Sequence, residues 1–306
     1  MGSLGTARAA TSESFDLAEG PFWDSRRKTI SWVDITRGHV YRGRLSSGGS
    51  IRIDERIDLD AQVGTASPGV DGDLVLGLGG AIVRRGEDGA LTVIAVVAPA
   101  AEVDGAPRRR LNDGMPDPAG RFVVGTLRKG ESTAPEVLVR LEPDGTLTTI
   151  DDDLGLSNGL AWSADGAVMY SVDTLRRAVY RRSYPDLGPR EIHVELADGY
   201  PDGICLDADD HLWVAVWGAG EVRRFDPDGV LVGVVDVPAP HTSSVTFAGP
   251  DLDTLVITTA RSELSAQQLA EWPDSGRLFT FEPGVRGLPA TLWSGASIDE
   301  ETEGRS

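Results

Sequence analysis

Four oxygen-bearing side chains recur in matching surroundings along the 306-residue chain: Glu19, Asn112, Asn158 and Asp202. Each stands beside a glycine or one residue from it, in Glu19–Gly20, Asn112–Asp113–Gly114, Asn158–Gly159 and Asp202–Gly203. Two carboxylates and two amide carbonyls make a hard-oxygen donor set suited to Ca2+, Mg2+ or Mn2+, and the two negative charges balance a divalent cation. Zn2+ fits this set less well, because it contains no histidine or cysteine. One Asn-Gly or Asp-Gly pair on its own would read as a turn. Four polar residues at one phase of a repeat need a further reason.

That phase belongs to a four-strand unit, clearest at residues 200–237. There a short strand carrying Asp202 is followed by a polar turn at 208–210 and an apolar strand at 211–216. A third strand at 221–225, an Asp-Pro-Asp-Gly turn and an apolar run at 230–237 complete the unit. Anchored on residues 20, 66, 114, 159, 203 and 245, the unit recurs at steps of 46, 48, 45, 44 and 42 residues. A period of ~40–45 residues with four strands each is the mark of a β-propeller. Six copies predict an all-β, six-bladed propeller with four antiparallel strands per blade. The first strand of each blade lines the axis, so residues far apart in sequence converge there. We expect one domain over residues 13–296, with flexible ends at 1–12 and 297–306. The one helical signal is a short turn within 262–272, capped by Ser265.

Composition narrows the functional classes. A formal net charge of −19 argues against nucleic acid and anionic membrane as partners. No apolar stretch approaches the ~20 residues of a membrane-spanning helix, and residues 1–14 lack the apolar core of a signal peptide. The single cysteine, Cys205, excludes an intramolecular disulfide and reads as a buried structural thiol. A cytoplasmic protein, monomeric or weakly oligomeric, is the expectation. The four histidines form no spaced pair, and Gly-x-Ser-x-Gly is absent, so neither His-based nor Ser-based nucleophilic chemistry is supported.

The motifs also resemble a known family. Ala-Glu-Gly-Pro-Phe-Trp-Asp at 18–24, Arg-Leu-Asn-Asp-Gly at 110–114 and Leu-Ser-Asn-Gly-Leu at 156–160 are similar to the senescence-marker/regucalcin, gluconolactonase and related lactonohydrolase family. Pro-Asp-Gly at 201–203, Leu-Trp-Val-Ala at 212–215 and Pro-Gly-Val-Arg-Gly at 283–287 extend the resemblance over roughly residues 15–292. It implies one divalent cation on the axis, Ca2+ first and Mg2+, Mn2+ or Zn2+ as alternatives, held by Glu19, Asn158 and Asp202. Arg110 and Asn112 match substrate-binding positions, with Asn112 near enough to reach the cation directly or through water. The loop at 127–135 departs from the animal-type pattern: the substrate-contacting glutamate falls at Ser132, with Glu131 one residue away.

The activity implied is metal-dependent opening of a sugar (aldono-) lactone. The cation polarises the carbonyl and activates water, Asp202 acts as general base, and Arg110, Asn112 and Glu131 hold the substrate. Two other readings compete: a propeller hydrolase of another ester or a phosphotriester, and a non-catalytic propeller that binds calcium or a partner protein.

Overall fold

The computed structural model describes residues 2–98, 109–128 and 134–296. Six antiparallel sheets form a ring, a six-bladed β-propeller. Blade 1 shows the repeating order: Ala18–Asp24 innermost, then Thr29–Asp34, His39–Leu45 and Ile51–Asp58 at the rim. The inner strands of the other blades are Val63–Pro68, Arg109–Pro116, Ser157–Trp162, Tyr200–Leu206 and Thr242–Ala248. The repeat read from the sequence therefore corresponds to blades one for one.

Six apolar clusters among the described residues fill the seams between neighbouring blades. One packs Val33, Val40 and Ile57 of blade 1 against Leu74, Leu76 and Val83 of blade 2. The seam between blades 4 and 5 holds Tyr170, Val172, Leu212 and Val214. Second strands face an apolar neighbour on both sides, so they read as continuous apolar runs; Leu212–Trp217 is Leu-Trp-Val-Ala-Val-Trp. With the core in the seams, the axis is left to polar side chains.

The N-terminus departs from the expectation of a loose segment. Gly2–Thr6 pairs in parallel with the rim strand Leu231–Asp236 of blade 5. Arg8–Ala9 forms the rim of blade 6, antiparallel to Phe279–Phe281. Ala7 and Ala10 are buried in the adjoining cores. The pairing is set by partners more than 200 residues downstream, and Gly-Ser-Leu-Gly-Thr carries no strand alternation of its own. The ring is thus closed by strands from both ends of the chain. Ala266–Glu271 is a short helix capped by Ser265, with Gln268 completing the capping box.

Candidate functional site

Every inner strand breaks register near its axial residue. The shifts fall between Glu19 and Phe22, Leu111 and Gly114, Ser157 and Leu160, and Pro201 and Ile204. Such bulges re-aim a side chain out of the sheet plane. Glycines make room beside them: a Cβ on Gly159 would meet Asp202 O at 2.4 Å, and one on Gly203 would meet Ser244 Oγ at 1.9 Å. Inner strands of adjoining blades therefore approach too closely there for any other residue.

Loops feeding two of these strands are tied at matching points. Asp34, ending the second strand of blade 1, accepts from Asp16 N at 2.9 Å and Leu17 N at 3.2 Å, just before Glu19. Asp173 does the same for Gly155 N and Leu156 N in blade 4, at 2.9 and 3.2 Å, just before Asn158. A buried carboxylate that accepts two backbone N–H groups pins such a loop firmly.

A belt of bonds from side chains of the preceding blade then holds the residue before three of the four axial donors. Ser243 Oγ donates to Ala18 O at 2.6 Å, before Glu19. Asn112 Nδ2 donates to Ser157 O at 2.9 Å, before Asn158. Thr174 Oγ1 donates to Pro201 O at 2.8 Å, before Asp202.

Glu19, Arg110, Asn112, Asn158 and Asp202 are 8, 7, 6, 5 and 5% exposed. Glu19 and Asp202 repel one another electrostatically, and both feel the Arg110 guanidinium. Burial, with Asp113 nearby, pushes the Glu19 carboxyl up to about 8. Burial, then Glu19 and Asp113, holds Asp202 well above the usual carboxylate range, while the nearby Asn158 amide favours its charged form. Arg110 is pushed down to about 10 by burial, an effect that Glu19 and Asp202 offset in part. The burial separates Arg110 from its neighbour in the arginine run, since Arg109 instead pairs with Glu136 at 3.0 Å.

The donor set fits a hard cation. Asn158 Oδ1 and Asp202 Oδ1 are buried without a hydrogen-bond partner from the protein, a costly arrangement for two oxygens unless something electropositive meets them. Asn112 is differently placed: its Oδ1 accepts from Arg110 at 2.7 Å, so its oxygen is already engaged. Among the described residues no three His, Cys, Asp or Glu side chains gather as a cation-binding group, so a cation here must draw on amide oxygen as well as carboxylate. Glu131 and Ser132 lie outside the described residues.

Two participants were not singled out by the sequence. In sequence Asp113 is only the spacer between Asn112 and Gly114, yet burial pushes it up to about 6 and it bears on Glu19 and Asp202. Thr174 follows a Val-Asp strand end, and nothing in its immediate neighbours announces a role.

Farther along the inner strands, a cavity of about 350 Å3 is lined by Asp113, Met115, Trp162, Cys205 and Phe247, with Leu288 and Pro289 from the C-terminal segment. Cys205 lines this cavity and is only partly buried, short of the full enclosure expected, and burial pushes its thiol up. His241 stacks on Trp217 with ring centroids 4.1 Å apart and contacts Ser262 O through Nδ1 at 3.1 Å, the part of a loop residue. No helix among the described residues is long and apolar enough to cross a membrane.

Fold and site together define a six-bladed propeller with buried carboxylates, amides and an arginine on its axis. The chain belongs to the SMP-30/gluconolactonase/LRE-like family, whose model matches residues 17–261. It is 35% identical over 295 residues to a pentonolactonase of Haloferax volcanii, covering 93% of this chain and 97% of that protein. A 6-deoxy-6-sulfogluconolactonase of Pseudomonas putida is 32% identical over 287 residues, covering 91% and 95%. Among solved structures, a calcium-binding regucalcin of Agrobacterium tumefaciens superposes with a TM-score of 0.85 at 26% identity, covering 96% of this chain and 99% of that one.

Proposed function

We propose that the chain is a divalent-metal-dependent lactonase that opens a sugar (aldono-) lactone, with Ca2+ as its first candidate cation. The observation that carries this reading is the pair of buried, unpartnered oxygens, Asn158 Oδ1 and Asp202 Oδ1, set near Glu19 and beside a buried arginine. Glu19, Asn158 and Asp202 hold the cation, with Asn112 close by. When bound, the cation supplies Lewis-acid polarisation of the lactone carbonyl and makes water a better nucleophile.

The chain's own groups do the remaining work. Arg110 presents guanidinium N–H groups to the substrate's oxygens and shares its charge with the developing oxyanion. Asn112 is fixed by Arg110 on one side and Ser157 O on the other, so it meets a substrate hydroxyl in a set orientation. Asp202 takes the proton released as water adds to the carbonyl carbon. That proton passes to the ring oxygen as the ester bond breaks, which leaves the open hydroxy acid.

Substrate class is tested by a pH-indicator screen of pentono- and hexonolactones beside an aryl ester and a phosphotriester. Turnover confined to the aldonolactones supports the reading. Preference for the phosphotriester moves the chain to a different electrophile. Cation binding without any turnover makes it a binding propeller.

A further inference from the structure

An amide ligand has a handedness that a carboxylate lacks. Asn158 can present Oδ1 to a cation, or, rotated by half a turn, an N–H that would repel it. Thr174 stands where that choice is made. Asn158 Nδ2 donates to Thr174 Oγ1 at 3.1 Å. The Thr174 hydroxyl proton is already committed to Pro201 O at 2.8 Å, so toward Asn158 the hydroxyl can only accept. Turning the amide over would set Asn158 Oδ1 against the lone pairs of Thr174 Oγ1. Both residues are buried, so water is not at hand to repair the mismatch.

We propose that Thr174 is a positioning residue that fixes the Asn158 amide with its oxygen, not its nitrogen, facing the channel. The proposal rests on the reading of Asn158 as a cation ligand. Thr174 acts on two ligands at once, because the carbonyl it grips belongs to the residue before Asp202. One hydroxyl thereby couples the inner strands of blades 4 and 5, and the aim of Asn158 is set together with the backbone that carries Asp202.

The test is calorimetric titration of Ca2+ into the metal-stripped full-length protein and its variants. Thr174→Val keeps the shape and removes the hydroxyl; affinity should fall about ten- to a hundredfold, the usual loss when a ligand's outer partner is removed. Thr174→Ser restores the hydroxyl and should bind within about threefold of the parent. Asn158→Asp presents an oxygen in either rotation, so adding Thr174→Val to it should change affinity by less than about threefold. An equal loss in both backgrounds would mean that the threonine acts through packing and would overturn the proposal, as would parental affinity in Thr174→Val. If Thr174→Val lacks the parent's cooperative thermal transition, Thr174→Ala takes its place in the same cycle. A parent protein that binds no divalent cation would instead remove the metal reading itself, an outcome distinct from the others.

Discussion

At the scale of single residues, burial decides what a side chain can do. Arg110 is the last of three consecutive arginines in the sequence, yet it enters the axis while Arg109 pairs with Glu136. A run of arginines by itself reads as a solvated face; the Arg-Leu-Asn-Asp-Gly motif is what marks Arg110 for the axis. Arg110→Ala removes a charge-assisted contact, a loss of about 1.5–3 kcal/mol, or roughly ten- to over a hundredfold in kcat/KM. Cation content should be unchanged, because a guanidinium is no ligand; kinetics and elemental analysis on the same preparation check both points, and parental kcat/KM would return Arg110 to a structural part. Asp202→Ala should lose cation and hydrolysis together, and full cation occupancy in that variant would show the cage to be drawn wrongly. The raised carboxyls also set a pH dependence. Burial lifts the folded Glu19 carboxyl to about 8, against 4.5 for a solvent-exposed glutamate. The folded state therefore binds more protons than the unfolded chain between those values, and stability of the metal-stripped protein falls as pH rises through that window. Added cation replaces the protons, so its affinity should climb over the same range. Thermal melts at pH 5, 6.5 and 8, with chelator or Ca2+, check the slope; a stripped protein that gains stability toward pH 8 would contradict it.

At the scale of elements, what repeats was legible and what closes the ring was not. Inner strands announced themselves because Glu19, Asn158 and Asp202 share one phase with a following glycine, and the geometry explains Gly159 and Gly203 by the close approach of adjoining inner strands and Gly20 by its φ of +54°. Thr174 and Asp113 stayed hidden for a different reason. Thr174 depends on a backbone carbonyl of the next blade and Asp113 on carboxyls of blades 1 and 5, and a repeat read along one chain carries no such cross-blade information. The strands at Gly2–Thr6 and Arg8–Ala9 were invisible because small, unpatterned residues become strands only when a distant edge accepts them. Gly2–Thr6 covers the rim strand Leu231–Asp236, whose only charged residue is its last, and Arg8–Ala9 completes blade 6. A variant beginning at residue 10 should keep its β-sheet circular dichroism but melt lower, on the order of several degrees. An unchanged midpoint would mean that the terminal strands add nothing to closure.

At the scale of the whole molecule, apolar seams between blades and a polar axis divide the labour. The seams supply stability through clusters such as Trp213, Val222, Leu255 and Ile257, and this frees the axis to bury charges that a compact core would not tolerate. Those charges remain unfavourable on their own. Beyond burial itself, Asp113 raises the proton affinity of Glu19, both raise that of Asp202, and Arg110 offsets them only in part. A divalent cation would resolve that imbalance at the point where two oxygens lack partners. Binding should then stabilise the fold by mass action, about 2.7 kcal/mol at a hundredfold excess over Kd. The central claim is that this one cation is also what makes the chain a lactonase. Its most direct test follows aldonolactone hydrolysis while Ca2+ is titrated into metal-stripped protein at a concentration well above Kd. The account predicts no enzymatic turnover at the start, a linear rise, and a plateau at one cation per chain. Full turnover in the stripped protein, or a rate that ignores the cation once it is bound, would contradict it.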